Sequence, residues 1–220
     1  MKVSNVPIFL LLHSQFRQDI RQLSFLASNF LFCSLVLFFC KVALDPALQS
    51  PSIYSGIFWL ITLFSCQGLF IKKHSSHMEN TDFYLLHTGI GSSALLISKI
   101  LHALIHLILL QSFSILLFAV FFQAKLIFSS GLFFTIVFSD ASIVCLATML
   151  LIGLKGSNVG RELLLIFLYP LLTPIFLLAH IQTRNELAAV GSSDYLGFIA
   201  GIFFIFLSIS LMLSPILMEE

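Results

Sequence analysis

Long apolar runs alternate with short polar breaks along this chain. A membrane-spanning helix needs roughly 20 apolar residues. Six runs are long enough, and they predict spans at residues 24–44, 53–71, 95–122, 126–153, 161–180 and 196–217. The third and fourth exceed what a bilayer requires, so we expect them to tilt, kink or protrude. The pattern predicts one all-α integral membrane domain over residues 1–220.

The stretch 9–23 has a different pattern, in which apolar and polar residues fall on opposite sides of a helix. The apolar side holds Leu12, Phe16, Ile20 and Leu23, and the polar side holds Ser14, Arg17, Gln18 and Arg21. Such a helix suits the membrane interface before the first span. The alternative is that it forms only the polar start of that span.

Composition supports a membrane location. The 220 residues are 59% hydrophobic and 10% charged, whereas soluble domains carry roughly a quarter charged residues. No basic run points to nucleic acid. The four cysteines lie inside apolar runs, where packing is a better explanation than disulfide or zinc roles.

Lysine and arginine positions predict the orientation. With the N-terminus in the cytoplasm, most of these residues fall on the inner side, as positively charged loops prefer. The inner residues are Lys2, Arg17, Arg21, Lys72, Lys73, Lys99, Lys155 and Arg161, and the outer ones are Lys41, Lys125 and Arg184. Tyr54 and Trp59 then start the second span from outside, as in an interfacial aromatic belt.

The third and fourth predicted spans contain one aspartate, one lysine and two histidines. Asp140 is in the fourth, and Lys99, His102 and His106 share one face of the third. A charge in a span costs about 2.5–3.5 kcal/mol, so each needs a reason. Counting back from a turn at residues 123–125 places Asp140 level with Ile108. We therefore predict that Asp140 faces His106 or a polar cavity shared with it, either as a structural pair or as a polar patch on a conduit.

His102 and His106 also have the i, i+4 spacing of ligands to one metal or haem iron. No carboxylate or cysteine accompanies them, so interior hydrogen bonding is the better explanation. The chain lacks the GxxxxGK[ST] phosphate-binding motif. We therefore expect no ATP hydrolysis and no enzyme activity from this chain, and neither a resident cofactor nor a metal is assigned to it.

Pro170 and Pro174 interrupt the fifth span. Each removes a helix hydrogen bond, so this span should kink or break there. A broken span is common where a transporter flexes, which makes the two prolines a candidate hinge. A static kink is the alternative.

The longest polar stretch is 72–93, between the second and third spans. Within it, Met78, Phe83 and Leu86 share a helical stripe with Tyr84 alongside. A short amphipathic element between two spans suits contact with a soluble partner.

Two stretches resemble the CcmB family, also called haem exporter protein B. Residues 153–179, GLKGSNVGRELLLIFLYPLLTPIFLLA, are similar to the family's Gly-Leu-basic turn and Pro-x-x-x-Pro helix, with Lys155, Pro170 and Pro174 at the matching positions. Residues 79–86 resemble its acidic coupling segment, although Asn80 replaces the usual Gly.

The resemblance implies a six-span, ABC-2-type permease of the bacterial inner membrane that acts in cytochrome c biogenesis. A separate CcmA-like ATPase would hydrolyse ATP, and haem would be a transported or handled ligand. CcmC-like, CcmD-like and CcmE-like proteins would be further partners. The implied ATPase-coupling residues are Glu79, Asn80, Thr81, Asp82, Phe83, Tyr84 and Leu85.

Three alternatives stay open. The chain could be the permease of another ABC-2-type exporter, for a lipid, polysaccharide or drug. It could be a haem-binding membrane subunit that uses His102 and His106. It could also be a purely structural assembly subunit.

Overall fold

The computed structural model of the chain describes seven segments. They cover residues 8–20, 23–44, 50–73, 91–122, 129–153, 161–188 and 194–219. Each contains one helix, and no strand occurs within these ranges. The helices are α1 (Ile8–Ile20), α2 (Leu23–Ala43), α3 (Pro51–Lys73), α4 (Ser92–Phe122), α5 (Ser130–Gly153), α6 (Arg161–Leu187) and α7 (Asp194–Glu219).

The fold is that of an α-helical, multi-pass membrane protein. Four helical stretches are long and apolar enough to cross a bilayer, namely Ser92–Phe122, Ser130–Leu151, Ile166–Leu187 and Tyr195–Pro215. Two shorter apolar stretches, Ala27–Ala43 and Pro51–Cys66, lie in α2 and α3. The predicted fold class is thus confirmed in its helical, membrane-compatible character.

Helix α5 is the central element of the bundle. In its apolar stretch 67% of the residues are buried, against 33% in those of α4 and α6 and 11% in that of α7. Residues 139–148 are buried without interruption, on every side of the helix. Its neighbours α4, α6 and α7 therefore enclose α5 and separate its middle from the surroundings.

Large apolar side chains cover much of the outer surface. They include Leu31, Phe39, Val42, Leu116, Val120, Ile166, Phe198 and Met212. A water-exposed surface with so many large apolar side chains would favour aggregation. In a bilayer the same side chains would contact lipid tails, which are apolar too. Their exposure therefore agrees with helices that are apolar over a membrane-spanning length.

Two helix starts follow from local sequence. Ser50 precedes Pro51, and the backbone N–H of Ile53 lies 3.5 Å from Ser50 Oγ. Ser129 caps α5, because the backbone N–H of Leu132 donates to Ser129 Oγ at 3.0 Å. Serine at the cap and proline at the first helical position are favoured because the first N–H groups of a helix lack partners within it.

The cap at Ser129 corrects one predicted boundary. We predicted that the fourth span starts at residue 126, but α5 begins at Ser130 and has 24 residues. The expected excess length is therefore wrong for α5, whereas α4, with 31 residues, has it. The error arose because Ser129 was treated as part of an apolar run rather than as a helix cap.

Helix α6 differs from its prediction in two respects. It continues to Leu187, beyond the predicted end at residue 180, and it runs unbroken through Pro170 and Pro174. Of the predicted kink or break, the break is therefore wrong, and the kink and the hinge stay predictions. Both prolines are exposed, while the opposite face of α6 buries a stripe of Leu168, Leu172, Ile175 and Ala179. Packing of that stripe stabilises the helix despite the missing proline N–H groups.

Candidate functional site

Three buried polar side chains meet where α3, α4 and α5 come together. Gln111 Nε2 donates to Asp140 Oδ1 at 2.7 Å and to Thr62 Oγ1 at 3.1 Å. The Thr62 hydroxyl in turn donates to the backbone oxygen of Phe58 at 3.0 Å. Gln111 of α4 therefore connects α3 with α5. We call Thr62, Gln111 and Asp140 the core cluster.

The core cluster is isolated from the surface. Thr62 and Gln111 are each 1% exposed and Asp140 is 0% exposed. Two of its oxygen atoms, Gln111 Oε1 and Asp140 Oδ2, have no hydrogen-bond partner. Buried polar atoms nearly always have one, so such atoms need an explanation. An ionisable side chain with an unpaired oxygen on the most enclosed helix is the strongest candidate for function in the described residues.

Asp140 faces the third predicted span, as expected, but its hydrogen-bond partner is Gln111 rather than His106. The later start of α5 explains the difference. Since α4 ends at Phe122 and α5 begins at Ser130, the midpoint of the connection lies near residue 126. Counting back from there places Asp140 level with about residue 112, which is next to Gln111.

The two predicted histidines lie under α1. The Phe16 ring is 5.0 Å from the His102 ring and stacks on that of His106 at 5.8 Å. The two histidine rings are 4.8 Å apart, and His106 Nδ1 lies 3.2 Å from the backbone oxygen of His102. Both side chains are buried. Their contacts include an aromatic ring, the other histidine ring and a backbone oxygen. The predicted interior hydrogen bonding and its alternative, ligation, stay predictions.

Helix α1 packs on α4 through more than this ring. Gln15 Nε2 donates to Ser98 Oγ at 3.3 Å, and Leu11 is buried. Lys99, the remaining predicted ionisable residue of α4, is half-buried next to Ser98. Residues 9–23 were expected to form an interfacial helix, and the described part of that helix covers the start of α4.

A second polar cluster joins α5 and α6. Ser129 Oγ donates to Glu186 Oε2 at 2.6 Å, and Gln182 Nε2 donates to Glu186 Oε1 at 3.0 Å. Glu186 thus lies beside the N-terminus of α5, where the helix dipole favours a negative charge. Sequence reasoning missed this cluster because residues 181–195 were treated as a loop. We call Ser129, Gln182 and Glu186 the end cluster.

Helices α3 and α6 are joined near the same end. Ser55 Oγ donates to the backbone oxygen of His180 at 2.7 Å and lies 2.6 Å from its Nδ1. Trp59 Nε1 donates to Thr183 Oγ1 at 3.0 Å. Trp59 is only 3% exposed, so it packs between helices, and its predicted level at the membrane interface stays a prediction.

A groove of about 480 Å³ opens between these two helices. Its lining is mostly aromatic and aliphatic, with a few polar side chains. The lining residues are Gly56, Trp59, Leu60, Leu63, Tyr169, Thr173, Phe176, Leu177 and His180. The predicted hinge residues Pro170 and Pro174 directly follow Tyr169 and Thr173 in α6, so the groove adjoins the part of α6 that lacks two backbone N–H groups.

The predicted ATPase-coupling residues, 79–85, lie outside the described residues, as does Lys155. Among the described residues, no group of three or more His, Cys, Asp or Glu side chains could hold a metal ion. No protein-family model, curated protein or solved structure matches this chain. The site must therefore be interpreted from its own chemistry.

Gln111 and Thr62 are the core-cluster residues that sequence reasoning missed. Gln111 is the only amide side chain in α4, and an uncharged polar residue inside an apolar span is itself a signal for a hydrogen bond between helices. Thr62 carries no such signal, because threonine can bond to its own helix backbone.

Proposed function

We propose that this chain is the membrane-embedded permease subunit of a transporter whose ATPase is a separate polypeptide, as its resemblance to the CcmB family implies. In this proposal α2 to α7 are six spans in the bacterial inner membrane, with the N-terminus in the cytoplasm. The complex would act in cytochrome c biogenesis, with haem as a transported or handled ligand.

The observation that carries the proposal is the position of Asp140. Intramembrane carboxyl groups are rare and usually belong to a pathway or a moving part. Asp140 lies on the most enclosed helix and is fully buried. Only one of its two carboxyl oxygens has a hydrogen-bond partner, which is Gln111 of α4. A purely structural bundle would gain more stability from an apolar residue at this place.

Coupling to an ATPase requires two arrangements of the bundle that nucleotide favours differently. In the proposal, residues 79–85 contact the ATPase, and their displacement moves α3 and α4. Those two helices contribute Thr62 and Gln111 to the core cluster. A movement transmitted through them would therefore change the hydrogen bonds of Asp140.

The test is co-purification with the ATPase. Asp82→Ala and Phe83→Ala should each reduce recovery of a CcmA-like ATPase several-fold and lower the amount of covalent cytochrome c. Arg184→Ala, an exposed change near the C-terminal end of α6, is the matched control. It should leave ATPase recovery and the amount of covalent cytochrome c unchanged. Normal ATPase recovery and normal cytochrome c assembly in both variants would contradict the proposal.

Two further observations separate the alternatives. Another ABC-2-type exporter is the better description if an ATPase co-purifies with the wild-type chain but a strain that lacks the gene assembles cytochrome c normally. A haem-binding subunit would instead give the purified protein a Soret absorption band that His106→Ala abolishes.

A further inference from the structure

The two unpaired oxygens of the core cluster belong to side chains that already share a hydrogen bond. Gln111 Nε2 donates to Asp140 Oδ1, and the atoms left without partners are the other oxygen of each group, Gln111 Oε1 and Asp140 Oδ2. Both are acceptors when Asp140 is ionised. A missing donor would therefore explain both unpaired atoms at once.

The other bonds of the Gln111 amide favour one orientation of its nitrogen and oxygen. An amide nitrogen has two hydrogens, and Nε2 uses one for Asp140 and one for Thr62. The Thr62 hydroxyl hydrogen is used for the backbone oxygen of Phe58. Exchanging the nitrogen and oxygen of the amide would leave Thr62 without its donor. The oxygen Oε1 is therefore the atom that needs a hydrogen.

We propose that the core cluster is a proton-binding site, in which Asp140 carries a proton on Oδ2 and donates it to Gln111 Oε1. The carboxyl and the carboxamide then form a pair with two hydrogen bonds, one in each direction. No bond other than O–H is formed or broken, and the proton comes from water. The inference concerns only the chemistry of α4 and α5, so it does not depend on the proposed function.

Among the side chains that the structure describes, none is a cation in contact with Asp140, whose hydrogen-bond partner is the neutral amide of Gln111. Helix α3 brings the thiol of Cys66 near Asp140, and α4 has His106 five residues from Gln111, about 7.5 Å along the axis. Two half-buried side chains of α6, Tyr169 and His180, line the groove against α3. Asp194, Tyr195 and Glu219 of α7 lie at the two ends of that helix, far along it from its middle. A buried carboxylate without a counter-charge is strongly unfavourable, whereas the protonated acid is not.

This site would make the packing of α4 on α5 depend on one proton. Loss of the proton leaves a charge that needs water, and water can reach residues 139–148 only if the neighbouring helices separate. Opening of the bundle at this level should therefore accompany release of the proton.

Infrared difference spectroscopy of the purified protein tests the proposal directly. At neutral pH we expect the C=O stretching band of a protonated carboxyl group, with the frequency shift on transfer to D2O that marks an exchangeable proton. Asp140→Asn should abolish this band, and Glu186→Gln, which removes the carboxyl of the end cluster, should leave it in place. Absence of the band from the wild type, or its persistence in Asp140→Asn, would overturn the proposal.

Two further measurements keep the test decisive. In Gln111→Leu the band should persist but move, because its acceptor is gone; an unmoved band would refute the pairing with Gln111. The spectrum should be the same in sodium and in choline chloride. A band that appears only when sodium is removed would mean that the two oxygens hold a cation instead, and would also overturn the proposal.

Asparagine at position 140 also gives a thermal test. Its amide N–H can donate to Gln111 Oε1 while its oxygen accepts from Nε2, so it reproduces the proposed pair. Asp140→Asn should therefore unfold at the wild-type temperature, and Asp140→Leu should unfold at a lower one. Equal destabilisation by both changes would contradict a protonated Asp140.

Discussion

The core cluster and the end cluster hold a carboxyl group in two different ways. Both oxygens of Glu186 accept hydrogen bonds, from Ser129 and Gln182, beside the N-terminus of α5. Asp140 lies ten residues after the first residue of α5, Ser130. It has one hydrogen-bond donor, Gln111, which belongs to α4. A helix end offers unpaired N–H groups and a favourable dipole, whereas backbone groups in the middle of a helix are already used. A carboxyl group in mid-helix therefore depends on tertiary contacts.

The largest expected effect comes from removing the single donor of Asp140. Gln111→Leu leaves Asp140 buried without that partner, which should lower the free energy of unfolding by about 1–3 kcal/mol. Gln182→Leu removes one of two donors from Glu186 and should cost only about 0.2–0.5 kcal/mol, as for side-chain pairs four residues apart on one helix. Thermal unfolding in detergent measures both, and equal losses would show that the two clusters do not differ as described.

Removing the cap of α5 should have an intermediate effect. Ser129→Ala deletes both the acceptor for the Leu132 N–H and the donor to Glu186, and loss of a cap costs about 1 kcal/mol. Ser130→Ala, at the next and exposed position, is the control and should change the unfolding temperature little. If Ser130→Ala destabilises as much, the helix start has been assigned to the wrong serine.

The smallest expected effect concerns the space around Glu186. A Cβ atom added at Gly131 would overlap the Glu186 carboxylate, whereas one at Gly197 in α7 meets nothing within 4 Å. Alanine is favoured over glycine in a helix by about 1 kcal/mol. Gly197→Ala should therefore stabilise slightly, and Gly131→Ala should lose this gain because Glu186 must move from its partners. Equal unfolding temperatures for the two variants would argue against the close packing of the end cluster.

Apolar periodicity predicted the helices well because it depends on local sequence. Each predicted span overlaps one described helix, and α2 lies within one residue of its predicted ends. The boundaries at α5 and α6 were wrong where a polar residue served the structure, as Ser129 does as a cap. The length of an apolar run does not show whether such a polar residue continues a helix, caps it or lies in a loop. Its role depends on which groups its side chain bonds to.

The candidate site was only partly predictable for the same reason. Asp140 was recognisable as a charge inside an apolar run, and its facing α4 followed from a short connection. Its partner required the register between two helices, and a four-residue change in the start of α5 was enough to replace His106 by Gln111. Phe16, which covers the two histidines, was recognised as part of an apolar stripe, but its target on α4 was not.

The sequence by itself determined that this protein is helical and apolar enough for a membrane, because length and hydropathy act along the chain. Only the tertiary structure decided that α5 is enclosed, that Gln111 is the donor to Asp140 and that Glu186 closes the N-terminus of α5. Those contacts join residues 29 and 57 positions apart, and the spacing along one helix carries no information about the rotation and depth of its neighbour.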